Sequence, residues 1–370
     1  MFKNKPVLVV LLAAMNLRLA VTAVTPLFAM IQRSLGTSAA AMALLITIPL
    51  LCFAGGALVT PALLRRVGLK VSLLLASASL LMGNLVRPVN AVWLFIGTML
   101  IGAGIAVLNI LIPAMIAQFP AQQTTRLTSY YAVTMNVIAA LGTALAIPLA
   151  QLWGWAVVLR SFALPVVLVM IVGSTLPEPS ISETRSPRAN VNWHDRQLWL
   201  LTAFMGGQSI VYYTLATWLP TIFQALGASV TLAGNLAAVF QLSGIPAALV
   251  LNRLSHPRQG FTWICLGCIS GVVALTWPGY GWWLGALILG FTGSLLFSTA
   301  LNLVAISATD PQLITQRAAI SQSFGYLLAA GGPVVFGQLA RQFGSWWLVL
   351  GVLLLLVGVT LSVGRRLTRS

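Results

Sequence analysis

The sequence predicts an all-α membrane protein of twelve transmembrane helices in two pseudo-symmetric six-helix bundles. Three observations carry this. Of 370 residues, 59% are hydrophobic and only 6% charged, where a soluble protein carries about 25% charged residues. Apolar segments recur at 6–31, 38–64, 71–87, 91–118, 126–150 and 155–176, then at 197–225, 230–253, 260–278, 281–307, 315–341 and 345–364. One long polar stretch, Pro177 to Asp195, separates six from six and holds three of the four acidic residues. Residues 1–176 and 197–370 are therefore expected to form the bundles, with 177–196 as the loop between them.

Each apolar run is long enough for a helix to cross a hydrocarbon core of roughly 30 Å, which takes about 20 residues. The runs are too long and continuous for barrel strands, and lipid admits no other backbone. The first resembles a signal peptide, with Lys3 and Lys5 ahead of an apolar stretch. Its apolar character continues past Arg18 to Met30, which predicts an uncleaved first helix. Placing the N-terminus in the cytoplasm puts 15 of the 20 Lys and Arg residues in inner loops and only Arg33, Arg87 and Arg341 outside. That asymmetry predicts cytoplasmic N- and C-termini. It also accounts for the net charge of +16 without a nucleic acid partner.

The halves echo each other. Arg126 and Arg317 stand 191 positions apart, and Pro26 and Pro220 194 apart. Trp153-Gly154-Trp155 and Gly344-Ser345-Trp346 link the last helix pair of each half. Two parallel repeats place a binding site near mid-membrane, between the halves. The same offset sets Arg18 on helix 1 opposite Tyr212 on helix 7.

Arg18 lies at the middle of the first span, where a guanidinium costs about 3 kcal/mol or more and cannot escape by deprotonating. The four acidic residues, Glu178, Glu183, Asp195 and Asp310, all fall in predicted loops. Arg18 therefore reads as a substrate or pathway residue. Other polar residues at mid-depth complete a candidate substrate-binding set: Thr22 on helix 1, Asn109 on helix 4, Tyr130 and Asn136 on helix 5, Gln208, Tyr212 and Tyr213 on helix 7, Gln241 on helix 8, and Gln322 and Tyr326 on helix 11. Hydroxyls and amides in spans also hold helix to helix, and Tyr130 and Tyr213 also fit a packed role. Arg160, about one turn into helix 6, can snorkel to the interface. Trp218-Leu219-Pro220 fits either an outer gate or an interfacial anchor. Cys265 and Cys268 form a C-x-x-C inside a span without nearby His, which reads as packing rather than a metal or redox pair.

No span contains Asp, Glu or His, so no carboxylate proton relay and no acidic cation site are expected. A lone cation among Tyr, Gln and Asn suits a small anion or a flat polar molecule. Gly102, Gly104, Gly290, Gly293 and Gly331-Gly332-Pro333 permit close packing and bending. No nucleotide-binding pattern and no nucleophile–base or metal set is visible, so neither an enzyme nor a cofactor is expected. Broad-specificity drug efflux is the alternative. A membrane receptor or scaffold fits poorly, because the short loops offer almost no surface to a partner.

Four stretches carry a family resemblance that spans nearly the whole chain: Asn16-Leu17-Arg18 with Thr22 and Pro26-Leu27; Gly102-Ala-Gly104-Ile-Ala-Val-Leu-Asn109-Ile-Leu-Ile-Pro113; Ser209-Ile-Val-Tyr212-Tyr213 with Trp218-Leu219-Pro220; and Gln322-Ser323-Phe-Gly325-Tyr326 running to Gly331-Gly332-Pro333. They resemble the cyanate permease and 2-nitroimidazole transporter family of the major facilitator superfamily. The paired tyrosines and the helix 11 run place the chain nearer the imidazole branch. The resemblance implies the facilitator fold and secondary or facilitative transport of a small solute by alternating access. It also implies a monomer in a bacterial inner membrane. Leu19 stands where the family usually has Pro. In the loop between helices 2 and 3, Arg65 replaces the acid of the superfamily's usual pattern.

Overall fold

A computed structural model describes residues 5–176, 193–247, 257–308 and 311–368, apart from Ala117. Most of the expected linker, 177–192 with Glu178 and Glu183, lies outside the described residues, as does Asp310. Every regular element among the described residues is helical, and the chain divides into two compact units, residues 1–184 and 185–370.

In the N-terminal unit, span 1 (Lys5–Leu35) is broken rather than continuous. A helix over Lys5–Thr22 gives way to a 3-10 turn at Thr25–Leu27 and resumes over Phe28–Leu35. Pro26 causes the break: it has no N–H, so the Thr22 carbonyl loses its helical donor. The Thr25 hydroxyl donates to that carbonyl instead, at 3.0 Å. The helix runs four residues past its expected end and stops where Gly36 turns left-handed at φ 64.

Spans 2 and 3 are two helices within Ala39–Val86, separated by a kink at Gly68 (φ 75, ψ 173), a geometry that glycine adopts at little cost. The expected loop between them shrinks to this residue, and Arg65, Arg66 and Lys70 are helical. Span 4 (Ala91–Ile116) packs against this pair through small residues. A Cβ on Gly104 would stand 2.6 Å from the Ala76 carbonyl, and one on Gly102 2.8 Å from the Pro49 Cα. Span 5 (Ala121–Trp153) starts five residues earlier than expected, because the Pro120 carbonyl accepts the Gln123 and Thr124 N–H groups and opens the helix there. It packs on span 1, with Leu19 filling the space left by Gly142. Span 6 is two short helices, Trp155–Ser161 and Ala163–Ser174. Arg160 is exposed on it, in line with the snorkelling expectation.

In the C-terminal unit, span 7 (Arg196–Ala225) packs against span 11 (Pro311–Phe343) and span 12 (Trp346–Leu367). A Cβ on Gly325 would stand 2.8 Å from the Met205 side chain, and one on Gly332 3.0 Å from the Thr214 hydroxyl. Span 10 (Tyr280–Ala305) lies against span 7, the described part of span 8 (Val230–Leu242) and span 9 (Pro257–Ala274). The hairpin glycines Gly154 and Gly344 both have positive φ, 81 and 63; Gly154 alone joins its two helices, while Ser345 follows Gly344 and caps span 12.

One ion pair was not foreseen, since Asp195 read as a loop acid and Arg317 as a loop cation. Asp195 caps span 7 by accepting from the Gln197 N–H at 2.9 Å. Its other oxygen accepts from Arg317 Nε at 3.1 Å and Nη2 at 2.7 Å. Arg317 also donates through Nη1 to the Ser307 carbonyl beyond the end of span 10. Arg317 is 7% exposed, so one buried cation ties spans 7, 10 and 11. Asp195→Asn should lower unfolding stability by about 3 kcal/mol, the cost of leaving one partner of such a pair behind. Thermal unfolding in detergent measures this, and an unchanged midpoint would contradict it.

Candidate functional site

The N-terminal unit gathers three of the predicted residues. Arg18 is half-buried on span 1. Its Nη1 donates to the Asn136 Oδ1 on span 5 at 2.8 Å. Asn136 is oriented for this, since its Nδ2 is occupied by the Ala132 carbonyl at 2.9 Å. The Thr22 hydroxyl donates to the Arg18 carbonyl at 3.0 Å, so it steadies the backbone that carries the arginine. Asn109 is half-buried on span 4.

Residues 1–177 contain no aspartate or glutamate. Asn136 therefore solvates the guanidinium with a dipole and leaves its charge intact. A neutral acceptor holds the group in place, and an anion can still gain from meeting it.

Tyr130 is not brought to this cluster. It stands six residues before Asn136, about 120° round the helix, and is 57% exposed. Its position in the same span suggested proximity, and helical phase places it elsewhere.

The C-terminal unit gathers an aromatic group. Tyr212 and Tyr213 meet edge-on at 5.3 Å, and Tyr213 meets Tyr326 of span 11 edge-on at 6.3 Å. Tyr212 also leans on Phe240 of span 8 at 5.9 Å. It sits over Gly293, whose Cβ would stand 3.7 Å from the ring. Tyr213 and Tyr326 are half-buried, as is Gln322 one turn earlier on span 11. Gln241 beside Phe240 is 5% exposed. Gln208 is buried, and its Nε2 donates to the Ser209 hydroxyl at 2.6 Å and the Met205 sulfur at 3.1 Å. Its Oε1 meets no donor among the described residues.

Two expectations need correction. Trp218 is buried, donates from Nε1 to the Pro333 carbonyl at 2.8 Å and lies 5.4 Å from Trp346. It is a tether inside the bundle rather than an interfacial anchor, because Gly337 leaves room for the indole against span 11. Arg87, counted among outer loop charges, is 1% exposed. Its Nη1 donates to the Ala20 carbonyl of span 1 at 2.7 Å. The signal available in sequence was Asn84 one turn earlier, at the end of a span, which gave that face a polar character.

Residues 10–333 match the family model of the Major Facilitator Superfamily. The chain belongs to this superfamily. Across 362 residues it is 31% identical to the 2-nitroimidazole transporter of Escherichia coli K12, covering 93% of this chain and 91% of that one. It is 25% identical to the cyanate transport protein CynX of the same organism, over 92% and 91% of the two chains. Its fold is shared with a bacterial homologue of the human lysosomal transporter Spinster, at TM-score 0.78 and 14% identity over 100% and 97% of the chains. The xylose transporter XylE of E. coli gives TM-score 0.78 and 14% identity, over 96% and 94%. This facilitator is thus a multi-pass membrane transporter of a small molecule, not an enzyme.

The Arg18–Asn136 bond yields a stability prediction. Asn136→Leu should lower the unfolding free energy by about 2 kcal/mol, the range for losing an acceptor to a charged donor. Detergent-phase thermal unfolding reads this; a midpoint equal to the wild type would mean the bond holds nothing.

Proposed function

We propose that this facilitator moves a small anionic or planar polar solute, cyanate-like or nitroimidazole-like, by alternating access. Arg18 is the central binding residue. The observation that carries this is a charged guanidinium in a bundle whose residues, 1–176, include no acid, held by an amide 2.8 Å away. Arg18 presents its fork to a carboxylate-, cyanate- or nitro-type group, which a planar guanidinium matches better than an ammonium does. Tyr212, Tyr213 and Tyr326 supply aromatic edges and hydroxyls to a flat ring. Gln208, Gln241, Gln322 and Asn109 supply amides.

The relatives support both ends of this range, since one is named for a nitroimidazole and another for cyanate. The distribution of Lys and Arg supports cytoplasmic termini, and no acidic side chain is available in the spans for a proton relay. Transport is secondary active or facilitative.

A thermal-shift series with sodium cyanate and 2-nitroimidazole tests the assignment. A ligand at about 100 times its Kd stabilises by about 2.7 kcal/mol. The wild type should shift with at least one of the two, Arg18→Ala should not shift, and Arg18→Lys should lose most of the effect because the fork is gone. Equal shifts in wild type and Arg18→Ala would remove Arg18 from the site. A wild-type protein indifferent to both solutes would overturn the solute class.

A further inference from the structure

The break in span 1 is held from outside the helix. The regular backbone ladder ends with the Ala23 N–H on the Leu19 carbonyl at 3.0 Å. The Thr22 carbonyl, stripped of its donor by Pro26, is served by the Thr25 hydroxyl. The Ala20 carbonyl is served by Arg87 from the end of span 3, at 2.7 Å. That carbonyl lies two residues beyond Arg18.

Arg87 is 1% exposed and remains charged in a half that has no acidic residue before position 178. Burying such a group is costly unless its donors have a use. Its place is fixed by packing. A Cβ on Gly97 of span 4 would stand 2.9 Å from both Cα and Cβ of Arg87, and one on Gly83 would stand 2.6 Å from the Gly97 carbonyl. Spans 3 and 4 thus close on each other at the base of this arginine, which leaves its side chain directed to span 1. Its Nε and Nη2 meet no acceptor among the described residues, so its one hydrogen bond there is the one to the Ala20 carbonyl.

We propose that Arg87 is a positioning residue: it fixes the broken stretch of span 1 through the Ala20 carbonyl and so sets where Arg18 presents its charge to the solute. Span 1 is then held on consecutive residues, Arg18 by Asn136, Leu19 over Gly142 and Ala20 by Arg87. The inference rests on Arg18 being the binding residue.

The test uses the full chain in proteoliposomes, with cyanate and 2-nitroimidazole as probes, and hydrogen exchange of the same protein in detergent. Arg87→Met, which cannot donate, should raise KM about tenfold while kcat stays within about twofold. It should also speed exchange of the amides around Ala20–Leu27 by about tenfold. Arg87→Lys, which keeps a charged donor of similar reach, should recover most of both effects. If Arg87→Met does not accumulate, Arg87→Leu, which likewise cannot donate, takes its place with the same expectation. A lowered unfolding midpoint with KM unchanged would make Arg87 merely structural and overturn the proposal. So would unchanged exchange at the break, whatever the solute does. Failure of the Arg18 reading shows separately, as an Arg18→Ala protein with wild-type KM beside an Arg87→Met protein whose exchange at the break has risen.

Discussion

A guanidinium cannot shed its charge inside an apolar bundle, and the N-terminal half of this facilitator is built around two of them. Arg18 and Arg87 both lie among helices whose first 177 residues include no carboxylate. Each is met by a neutral acceptor: an asparagine amide for Arg18 and a backbone carbonyl for Arg87. Neutral acceptors solvate a cation without cancelling it. The positive field of this half is therefore preserved, and it falls near the one place where span 1 is not helical.

That break is what gives the backbone an acceptor to offer. Pro26 frees one carbonyl and the 3-10 turn disturbs the next few, so polar groups become available at a depth where an intact helix would hide them. The local packing uses this. Leu19, the departure from the family's usual proline, lies over Gly142 and fills the contact with span 5. The neighbouring break belongs to Pro26, so its absence from position 19 leaves span 1 broken all the same. The C-terminal half is different in kind. Its buried cation, Arg317, is matched by a true carboxylate and serves to fasten spans 7, 10 and 11. Its candidate binding groups are aromatic and amide.

Most of the architecture was legible from the sequence, because hydrophobic length and loop charge act on the chain independently of tertiary detail. Span positions followed to within a few residues except in span 8, expected over 230–253, whose helix ends at Leu242 and turns at 243–246 and whose residues 248–253 lie outside the described residues. Misses came where a single residue decides the backbone: Gly68 confines the turn between spans 2 and 3 to one residue, and Pro120 opens span 5 early. Arg18 stood out because a permanent charge at mid-span needs an explanation. Asn136 was visible as a polar residue but not as its partner, since the pairing depends on helix–helix phase. That phase also sets Tyr130 apart from the cluster. Arg87 and the Asp195–Arg317 pair were read as loop charges, and Trp218 as an outer gate or an interfacial anchor, because each lies near the end of an apolar run. Their burial depends on glycines at 97 and 337 and on a cap, features whose partners cannot be named from local pattern alone.

The claim that Arg18 meets the anionic or electron-rich group of the solute is tested most directly by placing a carboxylate beside it. Asn136→Asp places one where the amide oxygen now sits, 2.8 Å from the guanidinium. A calorimetric titration with cyanate and 2-nitroimidazole should then show binding weakened by about a hundredfold, in a protein that unfolds at or above the wild-type temperature. Unchanged affinity for a solute that the wild type binds, in a folded Asn136→Asp protein, would contradict the account.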